Sequence, residues 1–210
     1  WLNHCRMYHK HSHLDGRVPP LRLCRNDRAS IPIGLKMIDC QTRKIVPAPP
    51  GEPYVALSYV WGVQHLEKSR ANADLLPNNL PKTIEDSLVV TRELNMRYLW
   101  IDKYCIDPGN ENEEHDTINN MDKIYAGAEI TIVAAVGQGP HHGLPRVSGP
   151  LPNEHSFKIG EHTFLPLRNP RAAVSSSKWS TRGWTYQEAL LSRRRLVFNE
   201  DHMYFQCRAM

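Results

Sequence analysis

Three short apolar runs separated by helix-like segments constrain this chain more than anything else in it. Tyr54–Val60, Arg97–Ile101 and Glu129–Val136 are rich in β-branched and aromatic residues and show no polar alternation. Runs of that kind suit strands buried on both faces, the condition of a parallel sheet covered by helices. Between the first two, Leu80-Pro81-Lys82-Thr83 opens a helix, with Pro81 suited to a helix start and Thr83 with Asp86 as a capping box. Ile84, Leu88, Thr91 and Leu94 then recur at helical spacing. Between the second and third, Glu113–Ala126 has acids in its first turn, an apolar stripe of Ile118, Met121, Ile124 and Tyr125, and Gly127 as its stop. After the third comes a long irregular stretch, 137–178, with a hairpin around Phe157–Phe164. A helix running to Leu191 and two further strands, Arg195–Phe198 and His202–Gln206, complete the chain. This alternation predicts an α/β fold, a mostly parallel sheet flanked by helices.

Residues 1–53 are expected to form an N-terminal extension packed on the domain, with two short strands at Gly34–Asp39 and Lys44–Val46. Pro47-Ala48-Pro49-Pro50-Gly51-Glu52-Pro53 is a stiff linker. Residues 54–210 form the domain proper, and 137–178 is its insertion after the third strand. Residues 63–80 read as a loop with some helical character.

Charge narrows the partners. The net charge of +4 is the sum of a basic start, an acidic middle and a basic end. A nucleic-acid surface needs a contiguous basic face with interleaved aromatics, so no nucleic-acid partner is expected. Arg193-Arg194-Arg195 is the one dense basic run, and it reads as a helix-end or strand-edge cluster rather than a phosphate grip. The longest apolar run, Ile132–Val136, falls far short of the ~20 residues of a membrane helix. The opening Trp1-Leu2-Asn3-His4 is too thinly apolar for a signal peptide. Five cysteines with no CxxC suit a reducing compartment, and a cytoplasmic location is expected.

In an open parallel sheet, ligands bind beyond the carboxyl ends of the strands. Tyr59, Trp61 and Gly62 follow the first strand, and Asp102 to Asp107 follow the second. Trp184 and Glu188 lie at i and i+4 on the returning helix, so an indole and a carboxylate share one face. A carboxylate desolvated against an aromatic wall suits an active site, although ion pairs impose the same environment. Glu188 could equally be a structural acid paired with Arg182 or the 193–195 arginines. Asp102 could orient a substrate, partner Arg182 or cap a turn. Cys105 with His115 lacks any thiol-hydrolase pattern, and neither GxGxxG nor GxxxxGK[ST] occurs. Cys5, His9, His11, His13 and Cys24 have the spacing of a partial zinc site, but no second clear pair follows, so no metal site is expected.

Taken in order, several segments resemble the fungal heterokaryon incompatibility (HET) domain over roughly residues 1–206. They are Tyr54-Val55-Ala56-Leu57-Ser58-Tyr59-Val60-Trp61-Gly62, Leu80-Pro81-Lys82-Thr83-Ile84 and Tyr98-Leu99-Trp100-Ile101-Asp102 with Cys105-Ile106-Asp107. Met121, Ile124-Tyr125-Ala126-Gly127-Ala128 and Arg182-Gly183-Trp184-Thr185-Tyr186-Gln187-Glu188 complete the series. Pro108 departs from it, since the family usually has Gln after that Asp. The resemblance implies regulated cell death in non-self recognition. It also implies a remote similarity to TIR domains, which are flavodoxin-like α/β modules, some of which hydrolyse NAD with a helix-borne Glu, often four residues after a Trp. Glu188 is then the implied catalytic carboxylate. Tyr59, Trp61, Asp102, Arg182 and Trp184 are the implied substrate-binding residues, with NAD as substrate rather than cofactor. Trp184 would stack on the nicotinamide, Tyr59 and Trp61 would form the opposite wall, and Arg182 would grip a phosphate. Activation by self-association or other signalling domains is expected, with the long loop ordered on assembly. The alternative is a non-enzymatic adaptor acting through assembly alone.

Overall fold

The computed structural model describes residues 1–9, 24, 31–62, 74–107, 109–149, 156–164, 169–200 and 202–209. Seven strands form one sheet. They are β1 (Lys36–Asp39), β2 (Lys44–Pro47), β3 (Tyr54–Ser58), β4 (Tyr98–Trp100), β5 (Ile130–Ala134), β8 (Arg194–Phe198) and β9 (Met203–Cys207), in the spatial order β2-β1-β4-β3-β5-β8-β9. β6 (Phe157–Ile159) and β7 (His162–Phe164) make a separate hairpin turning at Gly160, whose φ is +61°. The hairpin expected around Phe157–Phe164 is therefore present.

The sheet is mixed. β4-β3-β5-β8 pair in parallel, while β1-β2, β1-β4 and β8-β9 pair antiparallel. The expectation of a mostly parallel sheet holds for the centre and fails at both edges. The reason is connection length: the links between β1 and β2 and between β8 and β9 are a few residues each, enough for a hairpin but not for a parallel crossover. The hairpin predicted within residues 1–53 is an integral edge of this sheet, since β1 pairs with β4 through Ile38↔Leu99 and Asp39↔Tyr98.

β3 is buried at every position, as is β5. Alternate side chains along β5 and just past it enter different clusters: Ile130, Ile132 and Ala134 the main core, Val133 and the following Ala135 a smaller one with Val60, Trp179 and Val197. In the main core the Trp100 and Tyr125 rings meet edge to face, with centroids 5.5 Å apart.

α1 (Leu2–Tyr8) precedes the sheet. The other helices connect the parallel strands: α2 (Lys82–Glu93), α3 (Asp102–Cys105), α4 (Glu111–Asn119), α5 (Met121–Gly127), α6 (Pro170–Ser175) and α7 (Gly183–Leu191). From β3 the chain crosses one way to β4 and then back past β3 to β5. Right-handed crossovers therefore place α2 on one face and α5 and α7 on the other, and α5 does pack on α7.

Two local expectations fail. The helix expected over Glu113–Ala126 is two helices, broken at Asn120, whose side-chain amide donates to the Asp116 carbonyl at 2.7 Å. Asparagine competes with the helix for its own backbone groups, which accounts for the break. The Thr83–Asp86 capping box does not form. Pro81 is the cap position without a side-chain bond, and Asp86 instead accepts from the Leu144 N–H at 2.6 Å, fastening the 140s loop to α2. Among the described residues, no helix is long and apolar enough to cross a membrane.

Candidate functional site

Among the parallel strands the spatial order is second, first, third, fourth, so the direction of crossover reverses between β3 and β5. That reversal opens a crevice at the carboxyl ends of the strands. Three of the predicted residues stand there by position. Ser58 ends β3 and Tyr59 follows it, Asp102 follows β4, and α7 returns across the rim with Glu188.

Glu188 is only 2% exposed. The Ser58 hydroxyl donates to its Oε2 in a very short hydrogen bond. The Trp179 indole N–H in turn meets Ser58 Oγ at 2.7 Å. An indole nitrogen can only donate, so Ser58 must accept from Trp179 and turn its own proton to Glu188. The direction of this relay is fixed by chemistry, and it fixes one carboxylate oxygen. Burial raises the Glu188 carboxyl above its ordinary value, against the Ser58 hydrogen bond and the positive charge of Arg182.

Asp102, 8% exposed, is the first residue of α3. It accepts from the Lys103 N–H at 2.7 Å, and the Trp61 indole N–H lies 3.0 and 3.1 Å from its two oxygens. Desolvation pushes its carboxyl up to about 7, against the Lys103 hydrogen bond, and the charge of Glu188 adds to the rise. The two acids therefore feel each other, and Arg182 lowers both. The Arg182 guanidinium also donates to the Tyr59 carbonyl, tying the start of α7 to the end of β3.

Tyr59 is buried, and its phenol is raised well above the ordinary value by desolvation first and by Asp102 second, so it stays a neutral hydroxyl. Tyr125, donating to the Leu57 carbonyl at 3.3 Å, is raised in the same way, with Glu188 and Asp102 contributing. Trp61 is 36% exposed and Trp184 51% exposed. Gly62 has a φ of +77°, and a Cβ there would stand 2.9 Å from Pro140 Cδ, so only glycine lets the β3 loop turn against that segment.

The structure thus brings Tyr59, Trp61, Asp102, Arg182 and Glu188 into one hydrogen-bonded and electrostatic neighbourhood. Trp184 shares α7 with Glu188 and is half-exposed, and the indole linked to the buried carboxylate is Trp179, through Ser58. Neither Ser58 nor Trp179 was singled out as a candidate from the sequence. Trp179 lies 121 residues from Ser58, and the only local sign was a tryptophan just before Arg182. A groove of about 960 Å³ between residues 31–36 and 110–123 contains none of the six candidates.

With a buried, oriented carboxylate beside a second acid that titrates near neutrality, and a guanidinium between β3 and α7, the cluster can stabilise developing positive charge and accept a proton. His11 and His13 lie outside the described residues.

The family model for the heterokaryon incompatibility protein (HET) matches residues 54–188. Heterokaryon incompatibility protein 6, OR allele, of Neurospora crassa is 29% identical over 131 residues, 56% of this chain and 19% of that protein. The chain thus spans a small part of the relative's length. No solved structure matches. The family match runs from the first residue of β3 to Glu188 itself, so it contains the whole rim just described, and the chain belongs to the HET family.

Proposed function

We propose that this HET domain is a cell-death effector that hydrolyses NAD at the nicotinamide–ribose bond, with Glu188 as the catalytic carboxylate. The observation that carries the reading is Glu188 itself: a buried carboxylate at the strand-end crevice with one oxygen held by a relay of fixed direction. The other support is the order of the four parallel strands, second-first-third-fourth, which is compatible with the start of the five-strand order of flavodoxin-like folds, the class to which TIR domains belong.

The reaction suits one well-placed carboxylate. The bond between ribose C1′ and the pyridinium nitrogen breaks, and its electron pair returns to the ring, so nicotinamide leaves neutral without an acid. The oxocarbenium-like ribose left behind is stabilised by a negative charge. Glycosidases with poorer leaving groups need a second carboxyl to protonate them. Water then adds to C1′ and gives up a proton. Asp102 in its ionised form is the base for that proton. Oε1 of Glu188, the oxygen not held by Ser58, faces the ribose in this scheme. Arg182 grips a phosphate, Tyr59 lines the crevice, and Trp61 and Trp184 close on the nicotinamide from opposite sides. Assembly through self-association or partner domains orders the rim and switches the enzyme on.

Nicotinamide release from NAD, followed for concentrated wild-type protein and for Glu188→Gln, tests the reading. The substitution is nearly isosteric, so the variant folds and loses turnover. Release that persists in Glu188→Gln, or no release from any assembled state of the wild type, overturns it and leaves an adaptor that signals by assembly.

A further inference from the structure

At the opposite end of the parallel strands lies a cluster that the rim chemistry does not use. Cys5 and Cys24 are buried against Cys207, the last residue of β9. Cys5 and His9 are four residues apart at the end of α1, which brings them to one side of the helix. His9 Nδ1 lies 3.2 Å from Cys207 Sγ, and the ligand atoms of Cys5, His9 and Cys207 all fall within 4.8 Å of one another. Cys24 contacts the Cys207 thiol in the same cluster.

We propose that Cys5, His9, Cys24 and Cys207 hold a structural zinc ion that fastens the N-terminal segment to the last strand. Three sulfurs and one imidazole are a common donor set for structural zinc. With zinc–sulfur bonds of about 2.3 Å, tetrahedral ligands sit about 3.8 Å apart, so the spacing of Cys5, His9 and Cys207 needs only a small contraction, and Cys24, which stands outside that 4.8 Å group, closes in as the fourth ligand. All four coordination positions come from the protein, which leaves none for water and makes the site closed rather than catalytic.

The surrounding charge supports a loaded site. Arg194, 1% exposed, meets Cys5 Sγ with Nε at 3.2 Å and the Cys24 carbonyl with Nη2 at 2.7 Å. It also reaches Glu129 at 3.2 Å, and Arg6 binds the same carboxylate at 2.7 Å. Two guanidiniums thus share one carboxylate beside the thiols, and the buried Arg193 adds a further positive charge nearby. A zinc ion with three thiolates and one neutral imidazole carries a net charge of −1, which offsets that excess.

The inference does not depend on NAD hydrolysis, since it places the metal far from the rim. The test is the zinc content of untagged protein by elemental analysis, with cobalt(II) substitution read by visible and near-ultraviolet absorption. The expected result is about one zinc per chain and a thiolate-to-cobalt charge-transfer band, with zinc falling to less than about a tenth in Cys207→Ser. His9→Ala is expected to keep the thiolate band but shift the ligand-field bands, and Cys40→Ser, at a buried cysteine elsewhere, to keep full zinc. Folding of each variant is checked by circular dichroism. If Cys207→Ser fails to fold, the His9→Ala and Cys40→Ser spectra decide. Wild-type protein that is folded, lacks zinc and gives no thiolate–cobalt band overturns the proposal, as does a His9→Ala spectrum identical to wild type.

Discussion

Asp102→Asn offers the most demanding check on the rim. The carboxyl of Asp102 is pushed up to about 7 from an ordinary value of 3.8, chiefly by desolvation and further by the charge of Glu188. Between those two values the folded chain holds a proton that the unfolded chain has released, so stability falls as pH rises through this window. The cost of this one group grows from roughly 2 kcal/mol at about pH 5 to roughly 4 kcal/mol at about pH 8. Asparagine cannot ionise, and its carbonyl placed at Oδ1 still accepts from both Lys103 and Trp61, while its amide nitrogen replaces Oδ2, which faces the Trp61 N–H at 3.0 Å. Whatever that replacement costs is the same at both pH values and cancels. Removing the Asp102 charge also eases ionisation of Glu188, which moves the difference in the same direction. Urea unfolding of wild type and variant at both pH values should therefore show the variant gaining on wild type by roughly 2–3 kcal/mol. A difference that stays constant within about 0.5 kcal/mol would mean that Asp102 is solvated and charged throughout, and the argument for a desolvated acid pair would be refuted.

Two further outcomes follow from named contacts. Ser58→Ala strands both the Trp179 N–H and a buried oxygen of Glu188. It should cost about 1–3 kcal/mol in chemical unfolding and reduce nicotinamide release even at saturating NAD. Asp39 is held down to about 2, chiefly by the hydrogen bond from Arg97, so it contributes stability above its unfolded value of 3.8 that is lost as pH falls towards 2. Arg97→Ala should therefore lower stability near neutrality, and its difference from wild type should shrink as pH falls towards 2, as followed by chemical unfolding at a series of pH values with circular dichroism.

What was legible in the sequence was whatever is written locally. The three buried strands announced themselves because a strand covered on both faces has no polar alternation, and β3 and β5 are buried at every position. Glu188 was legible because helical spacing and an adjacent tryptophan are both local signals. The partner that orients it was not. Nothing local to Ser58 names its partners, and Trp179, 121 residues on, meets it only when the chain returns across the rim. The sheet edges were misjudged for the same reason, because parallel and antiparallel pairing depend on where a strand lands rather than on its own residues. The cysteine cluster shows the limit plainly: Cys5 and His9 form half a metal site in the sequence, and the thiol that answers them is 198 residues beyond His9.

The two ends of the sheet meet in α7. At its start, Arg182 is fastened to the Tyr59 carbonyl, and Thr185 donates to the Arg182 carbonyl at 2.5 Å. At its end, Ser192 meets Thr131 of β5 at 2.7 Å, and Arg193 donates to the Gly127 and Ala128 carbonyls at 3.2 Å each. The next residue, Arg194, is the one gripped by the cysteine cluster. A carboxylate is useful for electrostatic catalysis only if it does not need to reorganise during the reaction. Glu188 meets that condition because the helix carrying it is anchored at both ends to the strands that form the crevice. The exposed side of the same helix carries Trp184, which is half-exposed. Ordering of the rim by assembly would therefore act on the aromatic walls and leave the carboxylate where folding has already placed it.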